Sequence, residues 1–197
     1  MYENIQINEP KWKSWIIETT TPLFTPKQCR EIIECGRNQP PKKAQVGMGR
    51  PGGGVKTDVR TTTISWIPFK EMAPMYMLLN QFVQRTNLTH FGFDDIRITE
   101  QAQFTEYPEG GFYDWHMDCD VNMEHEPPVR KISMSILLND PSEFEGGDFE
   151  ILSEGKTTKL KQGHGIAFAS FINHRVKKVT RGMRQSLVVW FGGKPFR

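Results

Sequence analysis

A chain of 197 residues with 37% hydrophobic and 11% aromatic content suits one domain, 1–197, that buries its core without disulfides or a structural metal. Its formal charge of +2 is too small to argue for nucleic acid or a membrane as partner. Cys29, Cys35 and Cys119 show neither zinc-finger nor disulfide-framework spacing and read as reduced thiols, which points to the cytoplasm.

The N-terminus, from Met1 to Gln6, has no basic segment and no apolar stretch of signal-peptide length, and no run approaches a transmembrane span. Thr25-Pro26-Lys27-Gln28 predicts a helix start, with Thr25 as N-cap, Pro26 in the first helical position and Gln28 closing a capping box. Cys29, Ile32 and Ile33 form its apolar face and Gly36 is expected to end it. Residues 40–57 are rich in Pro, Lys and Gly and predict a loop. Its Gly47-Met48-Gly49-Arg50-Pro51-Gly52 is formally a G-x-G-x-x-G, but no strand precedes it and Pro51 forbids a helix opening there, so it is not a dinucleotide site. Two readings remain for 44–57, a lid over a site and a passive connection.

Residues 58–67, with Val59, Thr61, Thr62, Thr63 and Ile64, predict a strand. Met75, Leu78, Leu79, Phe82 and Val83 recur at helical spacing and predict a second helix over 71–84, its stripe packed on a sheet. From Ile96 the apolar segments are short and separated by turn signals such as Pro108-Glu109-Gly110-Gly111 and Gly163-His164-Gly165, the rhythm of a β-sandwich or jelly roll. The chain thus divides into helical and strand support with a loop over 1–95 and a β core over 96–197.

His116-Met117-Asp118 carries the chemistry. In a strand, His116 and Asp118 share a face with Asp114 and Asp120, while Trp115, Met117 and Cys119 take the other. Alone, this pattern reads as a solvated acidic edge, and only a distant histidine overturns that reading. His164 sits between glycines, His90 beside the end of the second helix and His125 in a polar loop. His174 follows the apolar run from Ile166 to Phe171 and is the candidate placed beside a buried wall. Two imidazoles and one carboxylate occupy one face of an octahedral Fe(II) and leave three positions open. On the final strand Arg184, Ser186, Val188 and Trp190 share a face, and an inward arginine demands a carboxylate. That carboxylate is either a structural Asp or Glu or a dicarboxylic co-substrate gripped bidentately. The strand 130–138 alternates Ile132, Met134, Ile136 and Leu138 with Lys131, Ser133, Ser135 and Leu137; its serines face either the barrel interior or solvent.

The stretches from Tyr107 to Asp118, Arg130-Lys131-Ile132-Ser133, Leu138-Asn139-Asp140-Pro141 with Gly146-Gly147-Asp148-Phe149, and His174-Arg175-Val176 through Arg184 to Trp190 closely resemble the prolyl 4-hydroxylase-like branch of the 2-oxoglutarate and Fe(II)-dependent dioxygenases. They span about half the chain, in order. The resemblance implies a mainly β (α+β) fold, a double-stranded β-helix (a cupin-like jelly roll) with N-terminal supporting helices. It implies Fe(II) held by His116, Asp118 and His174, with 2-oxoglutarate and O2 as co-substrates and ascorbate as a possible reductant. Arg184, where many relatives have lysine, would bind the distal carboxylate of 2-oxoglutarate, with Ser186 assisting and Tyr107 and Tyr113 lining the pocket. An aspartate at 118 points to hydroxylation, since related halogenases carry a small residue there. The leading substrate by resemblance is proline in a protein or peptide. Arg60, Trp66 and Trp115 are candidate substrate contacts near the opening, against the alternative that they are core. Rival readings are a hydroxylase of a free amino acid, small molecule or nucleobase, and a non-catalytic jelly-roll binding module. A nucleic-acid demethylase is disfavoured, because Ser186, Val188 and Trp190 replace that group's Arg-x-Asn-x-Thr-x-Arg run. Loss of a ligand or of the cation would mark a degenerate module, and this chain keeps all four residues. Oligomeric state is not legible in the sequence.

Overall fold

The computed structural model describes residues 14–43, 59–119 and 128–195; the loop expected over 44–57, Asp120, His125 and the first residues of the chain lie outside them. Helix α1, Pro26–Arg37, starts with the capping box that its sequence specifies: the Gln28 N–H donates to the Thr25 hydroxyl, and the Thr25 N–H donates to the Gln28 side chain at 2.9 Å. Gly36 does not end the helix. It is buried inside the last turn, where a Cβ would overlap the Phe104 ring, so close helix–sheet packing and not chain termination explains the glycine. Asn38 N–H closes α1 onto Glu34 O at 3.0 Å. Helix α2, Ala73–Thr86, begins two residues after the expected start, because Glu71 N–H is held in a turn by Pro68 O. Pro74 fits its first turn, and Met75, Leu79 and Val83 form its buried stripe. A π-helical turn, Asn87–Phe91, follows and is closed by Gly92 at φ 70°.

The strands, in chain order, are β1 (Ile16–Glu18), β2 (Lys42–Lys43), β3 (Arg60–Thr61), β4 (Thr63–Ile67), β5 (Arg97–Ile98), β6 (Ala102–Tyr107), β7 (Phe112–His116) and β8 (Val129–Leu137). They continue as β9 (Phe144–Gly146), β10 (Phe149–Ile151), β11 (Thr157–Thr158), β12 (Gly165–Ala169), β13 (His174–Val176), β14 (Val179–Gly182) and β15 (Arg184–Gly193). Among the described residues a large antiparallel sheet runs β1-β12-β8-β15-β6-β4-β2, with β5 on β15; a smaller one runs β11-β10-β13-β7-β3; β14 and β9 form a ribbon. The single strand expected over 58–67 is two strands. β3 joins the small sheet and β4 the large one, with the break at Thr62, whose hydroxyl donates to Glu106 O at 2.6 Å. Residues before 96 therefore complete both sheets as well as supporting them.

Both helices cover the outer face of the large sheet, where Cys29, Ile32, Met75, Leu79 and Val83 cluster with Phe104, Ile132, Met134, Ile136 and Leu187. Between the sheets, Tyr107, Ile166 and Phe168 meet Phe149, Ile151 and Val176. The result is the expected double-stranded β-helix, a jelly roll with supporting helices. Burying each such aliphatic or aromatic side chain stabilises by roughly 1.5–3 kcal/mol. Covered on both sides, β8 also settles the two readings of its serines: Ser133 and Ser135 are buried and face the interior between the sheets. Among the described residues no helix is long and apolar enough to cross a membrane.

Candidate metal centre

β7 ends at His116 and β13 begins at His174, and the two residues are direct partners across the small sheet. The next pair in register is Val176 with Tyr113, so three steps along β7 match two along β13. This is a β-bulge, which re-aims side chains. Strict alternation predicts His116 on the face of Asp114; with the bulge Tyr113 comes to stack on the His116 ring, centroids 3.5 Å apart and 16° from parallel, while Asp114 is exposed. Asp118 lies past the end of β7 rather than on it. Its backbone is fixed by the N–H groups of Asp118 and Cys119, which both donate to Ser170 O at 2.9 Å. Ser170 in turn bonds Ser133 across the interior at 2.9 Å.

One ligand atom from each of His116, Asp118 and His174 falls within 4.8 Å of the others. His116 Nε2 is 3.6 Å from Asp118 Oδ1 and His174 Nε2 is 3.6 Å from Asp118 Oδ2. The opposite nitrogens face backbone carbonyls, His116 Nδ1 at 2.8 Å from Asp114 O and His174 Nδ1 at 3.0 Å from Ile172 O. A carbonyl only accepts, so the ring protons sit on Nδ1 and the Nε2 lone pairs point at the carboxylate. Burial, reinforced by the His174 imidazole, pushes His116 down to about 3, which keeps that ring neutral. Burial opposes ionisation of Asp118, but His174, His116, Arg130 and a Ser133 hydrogen bond together hold it below the usual carboxylate range. Asp118 Oδ2 is buried with no hydrogen-bond partner among the described residues. Two lone pairs and an ionised carboxylate thus converge with no proton between them, an arrangement that fits a divalent cation and little else. Phe168 and Phe149 wall the His174 ring at 4.5 and 5.6 Å.

Phe149 also lines a cavity of about 190 Å³ together with Leu137, Gly147, Asp148, Leu160 and Arg184. Arg184 is buried on β15, donates from Nη1 to Ser186 Oγ at 3.0 Å and lies 5.5 Å from the Tyr107 ring. Burial lowers its pKa, with Tyr107 and Asp148 opposing; a guanidinium there stays charged at neutral pH. Gly147 sits at φ 64°, and a Cβ on it would approach Arg184 Cδ to 2.9 Å, so the Gly146-Gly147 turn clears the arginine's path. Tyr107, Arg184 and Ser186 are therefore brought together on one side of His174.

On the other side, Arg60 packs over Tyr113 at 4.3 Å and donates to Gln103 Oε1 at 2.9 Å. Trp66 pairs in register with Gln103 and its ring meets Trp190 at 6.1 Å. Arg130 stacks on Trp190 at 3.8 Å and is tied to Glu100 by two hydrogen bonds of 2.6 Å. Trp115 is not part of this group: it points to the opposite face of the small sheet, under Arg175 at 4.8 Å. Gln103 and Arg130 are site neighbours that sequence reasoning missed. A signal existed for Gln103, because Gln103, Thr105 and Tyr107 alternate with Ala102, Phe104 and Glu106, a polar face on a buried strand.

Residues 102–192 match a family model described as the 2OG-Fe(II) oxygenase superfamily. Among curated proteins, the chain is 35% identical over 96 residues to a PKHD-type hydroxylase of Prochlorococcus marinus, covering 48% of this chain and 42% of that protein. It is 40% identical over 117 residues to a PKHD-type hydroxylase of Synechococcus sp., covering 57% and 52%. The chain spans about half the length of the curated relatives it matches. In fold it is similar to a prolyl-4-hydroxylase of Pseudomonas putida, with TM-score 0.66, 20% identity and 92% and 94% of the two chains covered. It is likewise similar to a viral collagen prolyl hydroxylase of Paramecium Bursaria Chlorella virus-1, with TM-score 0.71, 16% identity and 92% and 97% covered.

Proposed function

We propose that the chain is a member of the 2OG-Fe(II) oxygenase superfamily, whose model matches residues 102–192, and that it is a 2-oxoglutarate-dependent Fe(II) hydroxylase acting on an unactivated C–H of a peptide or protein, prolyl 4-hydroxylase-like in its chemistry. The observation that carries the reading is the convergence of two Nδ1-protonated imidazoles and a buried carboxylate, one phenylalanine away from an arginine-floored cavity. The names of its relatives, PKHD-type and prolyl hydroxylases, support the same chemistry and the same substrate class. We read 1–197 as one catalytic unit. None of the three cysteines is in a disulfide, which suits the reducing cytoplasm and the ferrous state.

His116, Asp118 and His174 would hold the metal, and bound Fe(II) supplies O2 activation coupled to oxidative decarboxylation of 2-oxoglutarate to succinate and CO2. The chain's own residues supply geometry. The carbonyls of Asp114 and Ile172 lock both rings, and the Ser170 carbonyl sets the height of Asp118. Arg184, pre-aimed by Ser186, takes the distal carboxylate of the co-substrate through its fork of N–H groups. Phe149, Phe168 and Ile166 exclude water from the buried side. Succinate formation from 2-oxoglutarate by the purified protein with Fe(II), together with gain of a single oxygen by members of a peptide library, tests the proposal. No turnover with any substrate and no metal-dependent binding of 2-oxoglutarate would sink it.

A further inference from the structure

Arg60 carries a charge that the described residues do not neutralise. It is 8% exposed, and β3 sets it opposite Tyr113 in the small sheet. It donates a hydrogen bond to the neutral amide of Gln103, and its Nε is buried with no hydrogen-bond partner among the described residues. Arg130, by contrast, is matched by both oxygens of Glu100. A buried guanidinium without a carboxylate is a large penalty for a fold to carry. The Tyr113 ring beneath it offsets part of that through cation–π attraction but leaves the Nε edge of the guanidinium without an acceptor among the described residues.

The position of the charge says what fills that edge. Arg60 Cζ is 4.3 Å from the Tyr113 centroid, and that ring is 3.5 Å from His116. The guanidinium therefore lies within the sum of those two distances of a metal-ligand ring. Trp66, in register with Gln103, provides an apolar surface beside it, and beyond Trp66 the buried Trp190 Nε1 is a second donor with no acceptor among the described residues. Arg184 is separated from this region, since it belongs to the cavity bordered by Phe149 and Leu160. Arg60 and Arg184 are thus buried cations in separate regions around the candidate metal centre, and the co-substrate would use Arg184.

We infer that Arg60 is the anion anchor of the substrate pocket, and that the molecule hydroxylated presents a carboxylate to Arg60 while its target C–H faces the triad. The inference rests on the hydroxylase reading but not on its peptide or protein substrate, and it restricts the substrate to carboxylate-bearing molecules. The carboxylate has two sources, the α-carboxyl of a free amino acid or C-terminal residue, and an acidic side chain within a peptide.

Matched pairs separate these sources: free amino acids against their amides, short proline-containing peptides with free against amidated C-termini, and peptides with Asp or Glu against Asn or Gln. For each pair kcat/KM is read from succinate formation and single-oxygen mass gain. At least one pair is expected to favour the acid by about 30-fold, the scale of a charge-assisted hydrogen bond. Arg60→Gln should collapse that ratio toward one, and Arg60→Lys should keep most of it. A ratio of two substrates on one preparation does not depend on the fraction of protein that folds. Equal use of acid and amide in every pair, or an unchanged ratio in Arg60→Gln, overturns the inference. Calorimetric binding of the same pairs decides the matter even if no succinate forms: acid-selective binding abolished in Arg60→Gln upholds the anchor while the hydroxylase reading fails, and binding without acid preference defeats it.

Discussion

Arg184 shows how one hydroxyl can matter at a buried cation. Its Nη1 donates to Ser186 Oγ at 3.0 Å, which holds the guanidinium edge toward the cavity and frees the remaining N–H groups for a ligand. Ser186→Ala removes a hydrogen bond to a charged group, and KM for 2-oxoglutarate should rise about 10-fold, the low end of such a bond's worth. Metal content should stay at the wild-type level, so a variant that loses both would show the serine to be structural instead. The triad and Arg184 were legible in the sequence because each occupies a recognisable spacing, and because His174 follows an apolar run. Gln103 and Arg130 were not, since their roles depend on spatial neighbours, Trp66 and Glu100, that lie 37 and 30 positions away in the chain.

At the scale of elements, the capping box at Thr25 was readable because its partners are three residues apart, and Thr25→Ala should cost about 1 kcal/mol. Gly36 was misread as a helix end because the cause of the glycine is the distant Phe104 ring. That cause reverses an ordinary expectation. Gly→Ala inside a helix usually stabilises by roughly 0.5–1 kcal/mol, but in α1 the added methyl meets the ring and its Cβ carbon, so Gly36→Ala should destabilise by about 1–3 kcal/mol. Urea unfolding of the two variants distinguishes the accounts, and a more stable Gly36→Ala would refute the packing argument. Leu152, exposed and at φ 71° after β10, is strained in the opposite sense: Leu152→Asn should raise stability by about 1 kcal/mol, visible as a higher urea midpoint with unchanged slope. Neither the bulge between Tyr113 and His116 nor the sheet change at Thr62 has a local sequence signature. Both follow from how strands pair, and alternation read along one strand cannot reveal them.

Over the whole molecule, the candidate metal-binding face is assembled from chain segments that meet only when the sandwich closes. His116 comes from the end of β7, Asp118 from a turn fixed by Ser170, and His174 from β13 nearly 60 residues on. An unfolded chain does not hold these donors together, so metal binding at this face would be linked to folding. At a metal concentration 100-fold above the dissociation constant the gain is about 2.7 kcal/mol, which for a domain of this size raises Tm by roughly 5–10 °C. Thermal unfolding with and without Mn(II) or Co(II), or Fe(II) under anaerobic conditions, measures it. Asp118→Asn removes the ionised oxygen between the two Nε2 atoms and should abolish most of the shift, leaving the fold intact because the Asp118 and Cys119 N–H bonds to Ser170 O are made by backbone. A wild-type Tm that ignores the metal would show that the triad does not bind one, and an undiminished shift in Asp118→Asn would mean that the metal sits elsewhere on the protein.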